Sequence, residues 1–157
     1  MSGGTHTIGV DTGKAYDTPE FALGFAVDTD DGSEYVYVQA DTDVPANGFV
    51  QIDETHNATA LTSSAAVYGS AVGIADTALA EGQYGFVARK GHVPGLVTAG
   101  AVADNDLYTS SEAGALTDAT EAGTTQLIRG LVPKEAGGGE TGPVTMSIAY
   151  PSISYAS

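Results

Sequence analysis

Carboxylates are the side chains with the most chemical potential in this sequence, and they cluster. Asp28, Asp30, Asp31 and Glu34 crowd one stretch, and Asp104, Asn105 and Asp106 form a second small acidic turn. A calcium loop of the EF-hand type places oxygen ligands at positions 1, 3 and 5 and glycine at position 6. Counted from Asp28, position 5 is Gly32 and position 6 is Ser33, so the register fails. Asp-Gly steps mark turns, because both residues tolerate positive φ. Both clusters therefore read as solvated turns, with adventitious calcium as the alternative, and no metal site is expected. His6, His56 and His92 are too far apart for an H-E-x-x-H pair.

Other constellations fail in the same way. The chain has no Cys, which removes disulfides, thiolate zinc sites and cysteine nucleophiles. No G-x-S-x-G elbow presents a serine. Gly137–Gly139 lacks the Lys and Ser/Thr of a phosphate loop. Asn57-Ala58-Thr59 fits the glycosylation sequon, which has meaning only in a secreted chain. With 20 acidic residues, neighbouring carboxylates identify no glycosidase pair. No catalytic residue and no cofactor site is expected, and the chain does not read as an enzyme.

The basic residues are few and differ in kind. Five Lys and Arg stand against those 20 acids, a net charge of −15 over 157 residues. That balance excludes nucleic acid, whose binders neutralise phosphates with cations, and an anionic membrane surface. Residues 21–60 hold eight acids and no base, whereas residues 61–100 are neutral, with Asp76 and Glu81 against Arg89 and Lys90. Arg89 and Lys90 follow an apolar run, and Arg129 shares an alternating face with Leu127 and Leu131. Such cations either pair with the surplus carboxylates or mark a contact patch, since Arg is enriched at interfaces beside Tyr and Phe. The candidate partner-contact residues are Tyr84, Phe86, Arg89, Lys90 and Arg129.

The elements that would position these residues are strands. Phe21, Leu23, Phe25 and Val27 alternate with small residues. After Asp31-Gly32 the period resumes, with Val36, Val38 and Ala40 against Tyr35, Tyr37 and Gln39. Two alternating runs around an Asp-Gly step predict a hairpin. Further runs are Phe49–Asp53, with Val50 and Ile52 on one face, then Tyr84–Ala88, Leu127–Val132, and Val144–Tyr150 halted by Pro151. The stretch 134–142 reads as a flexible hairpin tip. The 63–68 segment predicts a short helical turn and 71–75 a strand, because Gly69 and Gly73 oppose a longer helix. Residues 1–20 carry no sustained period and read as an extended N-terminal arm. Residues 21–157 then form a single all-β domain, a β-sandwich or barrel of short antiparallel strands. With 21 Gly, the composition allows only a thin core. No apolar run is long enough to span a membrane. No basic segment followed by an apolar core opens the chain, so a cytoplasmic origin is expected.

The order of several short motifs resembles the small all-β decoration, or cement, proteins of tailed-bacteriophage capsids. Those motifs are Leu23-Gly24 before the Asp-rich turn, Glu34–Ala40, Val72–Ala75, Glu81–Val87, Asp106–Thr109, Gly114–Leu116 and Ile148–Pro151. They cover about residues 20–153 and leave the arm aside. The resemblance implies a structural virion protein on the outer capsid surface, made in the host cytoplasm. It would be a homotrimer bound to the major capsid protein, reinforcing contacts between capsid subunits. The alternative is a host- or glycan-binding β module of a tail or fibre, which would present an aromatic platform, and the 8 Tyr residues leave that open.

Overall fold

The computed structural model describes residues 10–119 and 125–154. Ten strands follow one another without a helix among the described residues. They are β1 (Ala26–Asp28), β2 (Glu34–Ala40), β3 (Phe49–Ile52), β4 (Asn57–Ala60), β5 (Ala71–Ala75), β6 (Tyr84–Val97), β7 (Leu107–Thr109), β8 (Leu116–Thr117), β9 (Leu127–Pro133) and β10 (Gly142–Ser154). The all-β expectation holds. The strands form one mixed sheet, antiparallel except for β2–β4 and β6–β8, and it is not a simple barrel.

The pairings close on themselves twice. β2, β4, β3, β5 and β6 return to β2. β10, β6, β8, β7 and β9 return to β10. β6 serves both rings: Tyr84–Lys90 pairs with β2, and Lys90–Val97 pairs with β10. Gly91 lies at the handover with φ +125°, where a Cβ would collide with Ser33. A ring of five strands has a narrow interior, since barrel diameter grows with strand number. Its filling is accordingly small: Val38, Ala40, Val50, Ala58, Ala75 and Val87 share one buried cluster. Gly73 and Gly85 face that cluster, with added Cβ atoms falling 2.9 Å from Val87 Cγ2 and 2.7 Å from Leu79 Cδ2. The larger core lies on the other face and takes Tyr35, Tyr37, Phe49, Ile74, Phe86 and Met146.

This arrangement explains where the simple alternation misleads. β2 lies between the two cores, so Tyr35 and Tyr37 are buried on one face while Val38 and Ala40 are buried on the other. The run from Phe21 does not form a continuous strand. Gly24, at φ +85°, closes a turn in which the Phe25 amide donates to Ala22 at 3.0 Å, and β1 starts only at Ala26. Pro151 does not end β10, which continues to Ser154. It falls where the β9–β10 register shifts between Ile148 and Ser152, a bulge at which no ladder donor is needed. The 63–68 segment does form the expected short helical turn, the Ala65 and Ala66 amides both donating to Thr62 O at 3.2 and 3.0 Å.

The Asp-Gly hairpin forms between β1 and β2. The 134–141 loop joins β9 to β10, its Gly137 amide bonded to Ala101 O at 2.7 Å. Of residues 1–20, the described part 10–20 lies along the domain. Tyr16 exchanges two 2.8 Å backbone hydrogen bonds with Tyr84, and its buried ring meets Phe21 and Tyr37 edge-on.

Candidate contact surface

The acidic clusters are built as turns. Asp31 accepts hydrogen bonds from the Thr29 hydroxyl and the Ser33 amide, and Gly32 supplies φ +87°. The Thr29 hydroxyl, more than any other contact, holds the Asp31 carboxyl below its usual range. Asp104 adopts φ +65° and pairs with Lys134 at 3.4 Å, while Asn105 donates to Asp118. No group of three potential metal ligands converges among the described residues. His56 packs over Gly24, His92 is exposed, and His6 lies outside the described residues.

The predicted contact residues separate. Phe86 is 2% exposed and packs against Phe21 and Tyr37, so its side chain belongs to the core and offers no surface. Alternation alone cannot tell which face of β6 the second core covers. Tyr84 is half-buried and stacks on Tyr37, with ring centroids 6.0 Å apart. Arg89, Lys90 and Arg129 all flank the β10 bulge. Lys90 pairs with Ala149 on one side and Arg129 with Ser152 on the other. Lys90 is exposed; Arg129 is exposed and donates from Nε to Ser154 Oγ at 3.2 Å.

The bulge brings in a residue absent from the sequence-based set. Tyr150 is 52% exposed and adopts φ +51°, opposite the left-handed Gly130 at φ +86°. For a bulky non-glycine residue this backbone is strained, and such strain concentrates at functional sites. A Cβ on Gly130 would meet Ala149 O at 2.9 Å, so glycine is required there for close approach. The Arg89 guanidinium covers the Tyr150 ring, 5.7 Å from its centroid, and the Tyr150 hydroxyl donates to Glu34. That hydrogen bond, chiefly, raises the phenol's pKa. Burial pushes the Arg89 guanidinium down from its usual value, partly offset by Glu34 and Tyr150. Arg89 Nε is buried without a hydrogen-bond partner.

A second surface feature is an open groove of about 480 Å³ beside exposed Val67 and Tyr68, walled by Asp53, Glu54 and Ser70. Gln51 holds the adjoining 65–67 turn, donating to Ala65 O at 2.6 Å and accepting from Val67 N–H at 3.0 Å.

Neither a protein-family model nor a curated protein matches this chain. Its all-β fold is, however, shared with a solved viral structure. A chain from the capsid of the Myoviridae phage XM1 superposes with a TM-score of 0.50 at 16% identity, over 90% of this chain and 98% of that one. At that identity the likeness is one of fold.

Proposed function

We propose that this protein is a structural component of a bacteriophage virion. It would bind the outer surface of the assembled capsid as a homotrimer and stabilise contacts between major capsid subunits. The observation that carries this reading is the shared fold with a chain of the XM1 capsid along nearly the full length of both. The surface around the β10 bulge supports it. Arg89, Lys90, Tyr150 and Arg129 gather three of the five basic side chains and an exposed aromatic on a chain of net charge −15. Arg and exposed aromatic side chains are enriched where proteins meet partners. Repetition over a shell turns modest contacts into firm retention.

The test is to omit the protein from particles, or strip it, and then heat them. Heads lacking it should release DNA at a lower temperature, and adding it back should restore the original value. Particles equally robust without it refute the reading. The groove beside Tyr68, with Asp53, Glu54 and Ser70 as polar neighbours, favours a second reading, a glycan-binding module. Measurable binding to host glycans, combined with unchanged head stability, would promote that one.

A further inference from the structure

The groove beside Val67 and Tyr68 has walls that are fixed on both sides. It opens where the β3–β5 ladder ends, at the Ile52–Ala71 pair. The β3–β4 turn forms one wall: the His56 amide donates to Asp53 O at 3.0 Å, and Asp53 Oδ1 accepts the Thr55 and Asn57 amides. The turn through Gly69, at φ +85°, forms the other. Its Ser70 amide donates to Val67 O at 3.1 Å, and Gly69 and Ser70 exchange backbone hydrogen bonds with Ile153 at 2.8 and 3.0 Å. Val67 and Tyr68 thus remain 60% and 46% exposed on backbone that is tied down. A site held this way needs little further ordering when a ligand arrives.

The lining specifies the chemistry of that ligand. Asp53 Oδ2, the Glu54 carboxylate, Asn57 Oδ1 and the Ser70 hydroxyl hold no hydrogen bond among the described residues. Three of these groups only accept, so the ligand must bring donors. No Lys or Arg lines the groove, so a carboxylated or phosphorylated ligand would meet Asp53 and Glu54 as like charges. Tyr68 and Val67 call for an apolar face, which a compact ammonium lacks. A neutral sugar ring meets all three demands, with hydroxyl donors around its rim and a C–H face for the aromatic ring. The space suits it: about 480 Å³ beside Tyr68 continues past Asp53 and Ser70 into a hollow of about 280 Å³ that adds Asn57 and Thr59. Sites for small organic ligands hold about 300–1,000 Å³. We propose that this groove binds a neutral oligosaccharide, one ring laid on Tyr68 and Val67 with its hydroxyls donating to Asp53, Glu54 and Ser70. Hydroxyl donors to carboxylates make the stronger, charge-assisted kind of hydrogen bond. The inference rests on the glycan-binding reading of the groove, narrows it to uncharged sugars, and requires no capsid.

The experiment is isothermal titration of the full chain with neutral oligosaccharides of glucose, mannose, galactose and N-acetylglucosamine, beside oligogalacturonate and spermidine. At least one neutral probe should bind with a Kd of about 1 mM or tighter. Tyr68→Ala should weaken that probe at least about tenfold, the loss expected of one stacked aromatic. Glu54→Gln keeps the shape but removes a charged acceptor, and should weaken it about threefold. Val102→Ala, exposed elsewhere, should change nothing. Circular dichroism checks the fold of each variant. Should Tyr68→Ala unfold, Val67→Ser probes the same apolar side and should also weaken binding. Neutral probes that all fail to bind, or that bind indifferently to Tyr68 and Glu54, overturn the proposal. Oligogalacturonate binding that is lost in Tyr68→Ala keeps the glycan reading but overturns the neutral class. Spermidine binding alone assigns the groove to a cation and overturns both. Sugar binding by a protein that stabilises no heads leaves this inference standing while the cement reading falls.

Discussion

Gly73→Ala tests the closed five-stranded ring directly. An added Cβ would fall 2.9 Å from Val87 Cγ2, 3.1 Å from Ala88 O and 3.2 Å from Val87 Cβ. Carbon contacts are comfortable at about 3.5–4.0 Å, so the first neighbour must retreat by more than about half an ångström. Val87 is β-branched, fully buried and stiff at χ1, and the second neighbour is backbone. Overpacking of this kind costs about 1–3 kcal/mol. The alanine would regain about 0.4–1 kcal/mol through the unfolded chain, leaving a net loss of about 1–2 kcal/mol. For a domain of this size that lowers Tm by about 2–8 °C. Gly138→Ala is the control, because nothing lies within 4 Å of its added Cβ and its φ is not positive. It should melt with wild type or slightly above. Val87→Ala should lose stability alone by opening a cavity, yet relieve Gly73→Ala, with a coupling of about 0.5–3 kcal/mol in the double variant. Thermal melts by circular dichroism give all four values. If Gly73→Ala melts with the control, or if the double variant is additive, the two side chains do not share a closed interior.

Tyr16→Ala should destabilise by about 3 kcal/mol in urea titration, since a buried aromatic ring is removed from contact with Phe21 and Tyr37; removing residues 1–20 should cost at least as much. Asp53→Ala should cost about 0.5–1.5 kcal/mol at neutral pH, the usual net worth of a hydrogen bond, because the carboxylate ties the β3–β4 turn through Thr55 and Asn57. The Thr55 hydroxyl and the Asn57 amide hold the Asp53 carboxyl below 3.8, so its contribution is complete above that pH and lost as pH falls through the lowered value. The difference between wild type and variant should therefore shrink in acid melts. Asp76 is the opposite case, raised above 3.8 by burial first and by Asp11 second. Folding is penalised as pH rises through that raised value, so Asp76→Asn should increase Tm at pH 7, and the gain should vanish below pH 3.8.

Much of the strand content was legible because the period of two and its punctuation agree locally. The Asp31-Gly32 hairpin, β3, β5 and the first half of β6 all follow from alternation ended by turn residues. Which face is buried was less legible, because that depends on pairings distant in sequence, such as Val36 with Val87. The ring closure buries both faces of β2, and alternation by itself predicts one. The site was half visible. Arg89, Lys90 and Arg129 stood out as rare cations, whereas Tyr150 looked like the end of a strand. It is set apart by a backbone state, positive φ opposite Gly130, that no pattern of side chains announces. The same glycine explains Arg129. Strict alternation groups it with Leu127 and Leu131, but the phase slips at the bulge. Ile128 then joins Leu127 inside, and Arg129 points out.

The acidity has a further structural meaning. Read as composition, 20 carboxylates are a surface charge; in the fold, many hold the backbone. Asp11 accepts the Gly13 amide, Asp31 that of Ser33, Asp43 that of Glu81 and Asp118 that of Val102. Asp53 accepts the amides of both Thr55 and Asn57, and Glu135 that of Thr145. A sheet of ten strands needs many connections, and each connection leaves amides without a ladder partner. A short carboxylate satisfies such donors locally, and more strongly than a neutral acceptor. Lys and Arg, which carry no acceptor, could not replace them. Part of the excess negative charge is thus required by the turns whatever the chain binds. The bulge flanked by Arg89, Lys90 and Arg129 gathers three of the five basic side chains, with Glu34 beside them on Tyr150.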